Sequence, residues 1–208
     1  LDNKVIYYFF DNNSQIIENK ADIAVLYYTY SNNITIRSNN LTIEGIKLIN
    51  IENSSIYGNN ITVTQHKKTS SIELVNSSFN SISNNSIDRA TESNQIGIYL
   101  RSDSHNNLIK SNAITTGGYA CQYCDGIYIQ NSDGNNISDT TINTAYYDSE
   151  GIVFDNSNNS NIINVTINTA YTGGTNAYGI HLFSSINNTI TNSTINAINA
   201  ADIYVNGA

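Results

Sequence analysis

Apolar residues along this chain recur in short alternating triplets, not in long runs. A small or acidic residue followed by apolar, any, apolar begins at Asp22-Ile23-Ala24-Val25 and returns at Gly45-Ile46-Lys47-Leu48, Ser71-Ile72-Glu73-Leu74 and Gly97-Ile98-Tyr99-Leu100. It continues at Gly126-Ile127-Tyr128-Ile129, Gly151-Ile152-Val153-Phe154, Gly179-Ile180-His181-Leu182 and Asp202-Ile203-Tyr204-Val205. Successive starts lie 23, 26, 26, 29, 25, 28 and 23 residues apart. A second apolar position follows each start at Ile56, Ile82, Leu108, Ile137, Ile162 and Ile190, with Ile34 displaced by one. A third follows at Ile61, Ile87, Ile142, Ile167 and Ile195, with Ile114 displaced by one. Alternation sends both apolar side chains of a triplet inward and the middle one outward. Three short strands per unit cannot bury a face alone, but they can by stacking on like neighbours. The pattern therefore predicts an all-β parallel solenoid of about eight coils with three short strands per coil. Coils ~4.8 Å apart would make a rod ~35 Å long.

Residues 1–21 precede the first unit and read as an N-terminal cap or partial coil; residues 22–208 read as the solenoid domain. After Val205 only Asn-Gly-Ala follows. A bare tip of unpaired strands predicts either a continuation of a longer polypeptide or end-to-end contact with another chain. Composition sharpens the turns: 37 of the 208 residues are Asn and 33 are Ile, with no Pro, Met or Trp. Asn tolerates left-handed backbone and can ladder through its amide between stacked coils. Asn107, Asn136 and Asn161 are assigned to one such repeated position. Twelve asparagines also begin an Asn-x-Ser/Thr sequon: Asn12, Asn33, Asn40, Asn53, Asn60, Asn76, Asn84, Asn136, Asn158, Asn164, Asn187 and Asn192. They are candidate glycosylation sites and fit an extracellular or cell-surface setting.

The Gly-Ile-x-Leu, Asn-Asn-x-Ile and Thr-Ile-Asn runs resemble the repeats of right-handed parallel β-helix proteins. The resemblance is strongest to NosD-type and surface-protein repeats and more distant to pectate lyases and polygalacturonases. It spans roughly residues 22–205, and it is the resemblance that implies right-handedness. The same scaffold carries many unrelated functions. Of the polygalacturonase signatures Asn-Thr-Asp, Asp-Asp, Gly-His-Gly and Arg-Ile-Lys, none occurs here, and a chain without proline cannot hold the proline-containing arginine motif of pectate lyases. NosD resemblance raises copper, but His66, His105 and His181 are widely spaced and no Met is present.

Charge narrows the partners. Nine Lys/Arg against 17 Asp/Glu leave a net charge of -8, which disfavours nucleic acid. No apolar run is long enough for a membrane span. His66-Lys67-Lys68, the one basic cluster, reads as a solvated turn. The returns from the third strand lengthen late in the chain: Thr115 to Asp125, Thr144 to Glu150 and Thr169 to Tyr178. Equivalent turns stack, so Tyr119, Tyr123, Tyr146, Tyr147, Tyr171 and Tyr178 are predicted along one edge, with outward Tyr99, Tyr128 and His181 beside them. Such rings either stack on sugar or cover the edge. Asp125 and Glu150 should lie on adjacent coils with Asp155 nearby. The three acids could bond hydroxyls, hold Ca2+, or, with Arg101, serve a lyase or hydrolase as catalytic groups. Cys121 and Cys124 read as a local disulfide, with zinc or copper as the weaker use.

Together these features point to a non-catalytic extracellular β-helix module that binds carbohydrate or adheres through its tyrosine-rich edge and needs no cofactor beyond Ca2+. The alternatives are a glycosylated surface-layer or filament subunit contacting neighbouring surface-protein subunits end to end, and a polysaccharide lyase or glycoside hydrolase.

Overall fold

A computed structural model describes residues 4–63, 70–89, 95–117, 124–145, 148–170 and 177–207. The chain winds as a parallel β-solenoid with three faces. The first face stacks β1 (Val5–Phe10), β3 (Ile23–Thr29), the second half of β5 (Asn40–Ile49), β8 (Ser70–Val75), β11 (Ile96–Arg101), β14 (Ile127–Gln130), β17 (Ile152–Asp155), β20 (Ile180–Phe183) and β23 (Ile203–Asn206). The second face is an eight-stranded sheet of β2 (Ile16–Glu18), β4 (Thr35–Arg37), β6 (Ser55–Tyr57), β9 (Ser81–Ser83), β12 (Leu108–Lys110), β15 (Asn136–Ser138), β18 (Asn161–Ile163) and β21 (Thr189–Thr191). On the third lie the first half of β5, then β7 (Asn60–Thr62), β10 (Ser86–Arg89), β13 (Ala113–Thr116), β16 (Thr141–Ala145), β19 (Thr166–Ala170) and β22 (Thr194–Ile198). β1 and β2 stack on β3 and β4, so the residues before the first repeat continue the same ladders. Complete three-strand coils fall short of the eight expected, because the third face has the fewest strands.

The sequence alternation is realised as a core one side chain deep. Ile46, Ile72, Ile98, Ile127, Ile152 and Ile180 register in one column, and Leu48, Leu74, Leu100, Ile129 and Phe154 in the next. All are buried. Each fully buried aliphatic side chain contributes roughly 1.5–3 kcal/mol relative to exposure. Three registers differ from the sequence reading. The first unit enters the columns as Leu26-Tyr27-Tyr28, not Ile23-Ala24-Val25, because Leu26 pairs with Ile46 and Tyr28 with Leu48. On the second face Ile109, not Leu108, aligns with Ile82 and Ile137, leaving Leu108 38% exposed. On the same face Ile36, not Ile34, pairs with Ile56.

The corners explain the asparagines. Buried amides climb from coil to coil: the backbone N–H of Asn39 donates to Oδ1 of Asn59 at 3.0 Å, Asn59 to Asn85 at 3.0 Å, and Asn85 to Asn112 at 3.0 Å. A second ladder runs from Ser54 through Asn80, Asn107 and Asn135 to the Ser160 hydroxyl. These bonds satisfy corner amides that would otherwise be buried without partners. Asn107 thus stacks on Asn135, correcting its assignment to the Asn136 and Asn161 column, which is a separate, outward ladder pairing with Leu108. Left-handed residues close the first-to-second corner at Asn50, Asn76, Ser102, Asn131, Asn156 and Ser184, where short polar side chains make that conformation accessible. Among the described residues, none of the seven buried asparagines begins a sequon, whereas all twelve sequon asparagines are exposed or half-buried.

Candidate functional site

The outward positions of the first face form two continuous rows along the rod. One row runs Tyr27, Lys47, Glu73, Tyr99, Tyr128, Val153, His181 and Tyr204; the other runs Thr29, Ile49, Val75, Arg101, Gln130, Asp155, Phe183 and Asn206. Two grooves lie on these rows and meet at Ile96.

The larger groove, about 650 Å3, sits over β14, β17, β20 and β23. Asp125 and Glu150 enter it from the residues just before Gly126 and Gly151. Those glycines are needed there: a Cβ on Gly151 would stand 2.5 Å from the Gly179 carbonyl oxygen and 2.3 Å from Cγ2 of Ile167. Asp125 is 6% exposed, and its Oδ1 accepts the Glu150 backbone N–H at 2.8 Å. Oε1 of Glu150 lies 2.9 Å from Nδ1 of His181, whose Nε2 lies 2.8 Å from Oδ1 of Asn206. Burial, then the neighbouring Glu150 carboxylate, push Asp125 up to about 8; burial and the Asp148 carboxylate push Glu150 up to about 8. Desolvation and like charge both favour the neutral acid. Oδ2 of Asp155 accepts from the Tyr128 hydroxyl at 3.1 Å and from Nε2 of Gln130 at 2.8 Å. The far wall is aromatic. Tyr178 and Tyr204 stack with centroids 4.4 Å apart, His181 sits 5.2 Å from Tyr204, and Phe183 lies beside His181.

The smaller groove is built on ion pairs. Glu73 receives Lys47 Nζ at 3.1 Å and Arg101 Nε at 2.7 Å, and the Tyr99 hydroxyl donates to Gln130 at 2.6 Å. Arg101 lines this smaller groove beside Glu73, whereas Asp125, Glu150 and Asp155 line the larger one. Tyr128, Tyr178, His181, Asp125, Glu150 and Asp155 are brought together, while Tyr99 and Arg101 fall in the second groove. Tyr119, Tyr123, Tyr146, Tyr147, Tyr171 and Cys121, and the basic cluster at His66, lie outside the described residues. Cys124 is buried beside Asp125, its carbonyl accepting from the Thr116 hydroxyl at 2.6 Å. Among the described residues no three His, Cys, Asp or Glu side chains are placed to share a metal ion, and no helix is long and apolar enough to cross a membrane. Asp148, Phe183, Tyr204 and Asn206 complete the larger groove and were not among the predicted site residues. The signal for the last two was present in the repeat, since Tyr204 and Asn206 are the His181 and Phe183 positions one coil on.

Against known proteins, the periplasmic alginate epimerase AlgG superposes with a TM-score of 0.57 at 14% identity, covering 91% of this chain and 51% of that one. The fold is that of the right-handed parallel β-helix proteins. Other solved β-helices align less well: an alginate lyase from a Paenibacillus species (TM-score 0.47, 16% identity, 88% of this chain and 76% of that one) and a polygalacturonase from Erwinia carotovora (0.42, 14%, 90% and 59%). This β-helix thus spans about half the length of the epimerase. No family model and no curated protein matches the chain.

Proposed function

We propose that this β-helix is an extracellular or cell-surface glycan-binding module that holds a polysaccharide along the outer rows of its first face. The observation that carries the reading is the larger groove itself. Tyr178, Tyr204 and Phe183 offer ring faces, and Asp155, Asn206 and Tyr128 offer hydrogen-bonding groups, along the rod axis. Sugar rings present an apolar face and a polar rim, which such a surface complements. The outward sequons support a secreted setting, where a disulfide between the two cysteines of the sequence would also be at home. Oligosaccharide titration of the intact protein tests the reading: Tyr204→Ala is expected to weaken binding about tenfold. Unchanged affinity in Tyr204→Ala and Tyr178→Ala would remove the groove from consideration.

A catalytic reading rests on one observation, the contact of Glu150 with His181 beside a second carboxyl that keeps its proton near neutral pH. Acid–base work uses groups poised in that range. New reducing or unsaturated ends in a bound glycan, lost in Glu150→Gln, would convert the module into an enzyme.

A further inference from the structure

The two grooves carry opposite solutions to charge. In the smaller one the cations are consumed: Lys47 and Arg101 both engage Glu73, whose side chain is 14% exposed. In the larger one, Asp125, Asp148, Glu150 and Asp155 line the walls with no Lys or Arg among the described lining residues. An anionic sugar entering there meets four carboxyl groups. An anion at the smaller groove must compete with Glu73 for both of its cations.

The aromatic wall supplies the second, independent half of the argument. Tyr178 and Tyr204 are stacked within 16° of parallel, His181 packs against Tyr178 at 5.4 Å, and the outer ring of Tyr204 is 37% exposed. Ring faces beside carboxylates are the arrangement that holds an organic cation, through the ring quadrupole and charge together. A neutral sugar would use the rings but would leave the acids without a reason to be gathered there; a small metal ion would use the acids but not the rings.

We infer, building on the glycan-binding reading, that the larger groove takes a glycan bearing protonated amino groups, with the ammonium set between the Tyr178–Tyr204 pair and the Glu150 and Asp155 carboxyls. A bound cation favours the ionised acids, so ligand uptake releases protons from Glu150 and Asp125. The groups that face the ammonium are the four acids, His181 on β20, and the phenols of Tyr128, Tyr178 and Tyr204. Burial raises Tyr128 and Tyr178, which keeps those phenols neutral. For a probe whose charge does not titrate, affinity therefore rises as pH climbs through the range where Glu150 and Asp125 lose their protons.

The test is calorimetric titration of the intact protein at pH 6.5 with three matched oligomers: β-1,4-glucosamine, its N-acetylated form and mannuronate. The glucosamine oligomer is expected to bind about tenfold tighter than the acetylated one, and mannuronate weakest. Glu150→Gln and Asp155→Asn, both isosteric, should each erase most of that preference without unfolding the rod, as circular dichroism would verify. An N-trimethylated oligomer titrated at pH 6.5 and 9 should bind tighter at the higher pH, and at pH 6.5 should release protons measurable from buffers of different ionisation enthalpy. Equal or better binding of the acetylated or mannuronate oligomer overturns the amino-sugar assignment and leaves the glycan-binding reading standing. Failure of all three oligomers, with a neutral or anionic glycan bound elsewhere on the rod, overturns both.

Discussion

The two halves of the first face share one backbone and differ in what they do with charge. Over β5, β8 and β11 the acid Glu73 is clasped by Lys47 and Arg101, and the surface is closed by its own ion pairs. Over β14, β17, β20 and β23 the acids have a histidine, hydroxyls and amides for company, and two of them keep their protons to about 8. A paired charge fixes a surface; an unneutralised acid held out of water leaves it poised for something that arrives. A repeat fold can thus set an ion-paired half beside one with unpaired acids by changing the outward residues of its strands and the returns that lead into them.

The largest effect expected of a test is on the scaffold beneath the poised half. Gly151→Ala forces a methyl against the Gly179 carbonyl of the next coil and against Ile167 of its own coil, and should cost about 3 kcal/mol in urea unfolding. Next comes pH. An acid whose folded pKa is raised above its unfolded value makes the native state bind more protons, so its stabilising contribution is full below about pH 4 and is lost as pH rises to about 8. Asp125→Asn keeps the acceptor for the Glu150 N–H and removes that loss. It should be more stable than the parent by about 2 kcal/mol at pH 9 and indistinguishable from it near pH 4. Glu73→Gln in the closed half should do the reverse in sign, losing about 1–2 kcal/mol at neutral pH by leaving Lys47 and Arg101 without their anion. If both acids respond alike to pH and substitution, the distinction between the halves fails. The smallest effect belongs to Ser71, which stands in the glycine column of the closed half with a buried hydroxyl lacking a hydrogen-bond partner. Ser71→Ala should fall within about 1 kcal/mol of the parent, on the stabilising side.

Much of this was legible in the residues. The triplets beginning at Gly45, Ser71, Gly97, Gly126, Gly151 and Gly179 announced the first face, because an inward-outward alternation that returns at coil-length spacing buries its apolar side chains only when the strands stack in register. Where the reading slipped, two registers fitted the same letters. Leu108 and Ile109 are adjacent and both aliphatic, and Asn106-Asn107 and Asn135-Asn136 are doublets, so only the backbone ladder decides which member faces in. At the site, Asp125 and Glu150 were identifiable as neighbours because each precedes the glycine of its coil. The pairing of Arg101 with Glu73 one coil earlier was not, since sequence places both on the same face but does not encode which acid the guanidinium meets. The clustering of Tyr178 with Tyr204 depends on ring orientation, which no spacing encodes.

The winding also bears on how such a molecule changes over time. One of its corners is rigidly metered. The second strand hands over to the third with the same short step in coil after coil, as from Ser83 to Ser86, Lys110 to Ala113 and Ile163 to Thr166. The corner leading back to the first face has no such ruler: it takes the chain from Thr116 to Ile127 in one coil and from Ile198 to Ile203 in another. Insertions and deletions can accumulate at that seam without shifting a single rung, and the seam opens directly onto the groove through Asp125 and Glu150. The rod can therefore acquire new specificities by lengthening or trimming one margin, and that margin is where grafted segments should be accepted most readily by an engineer.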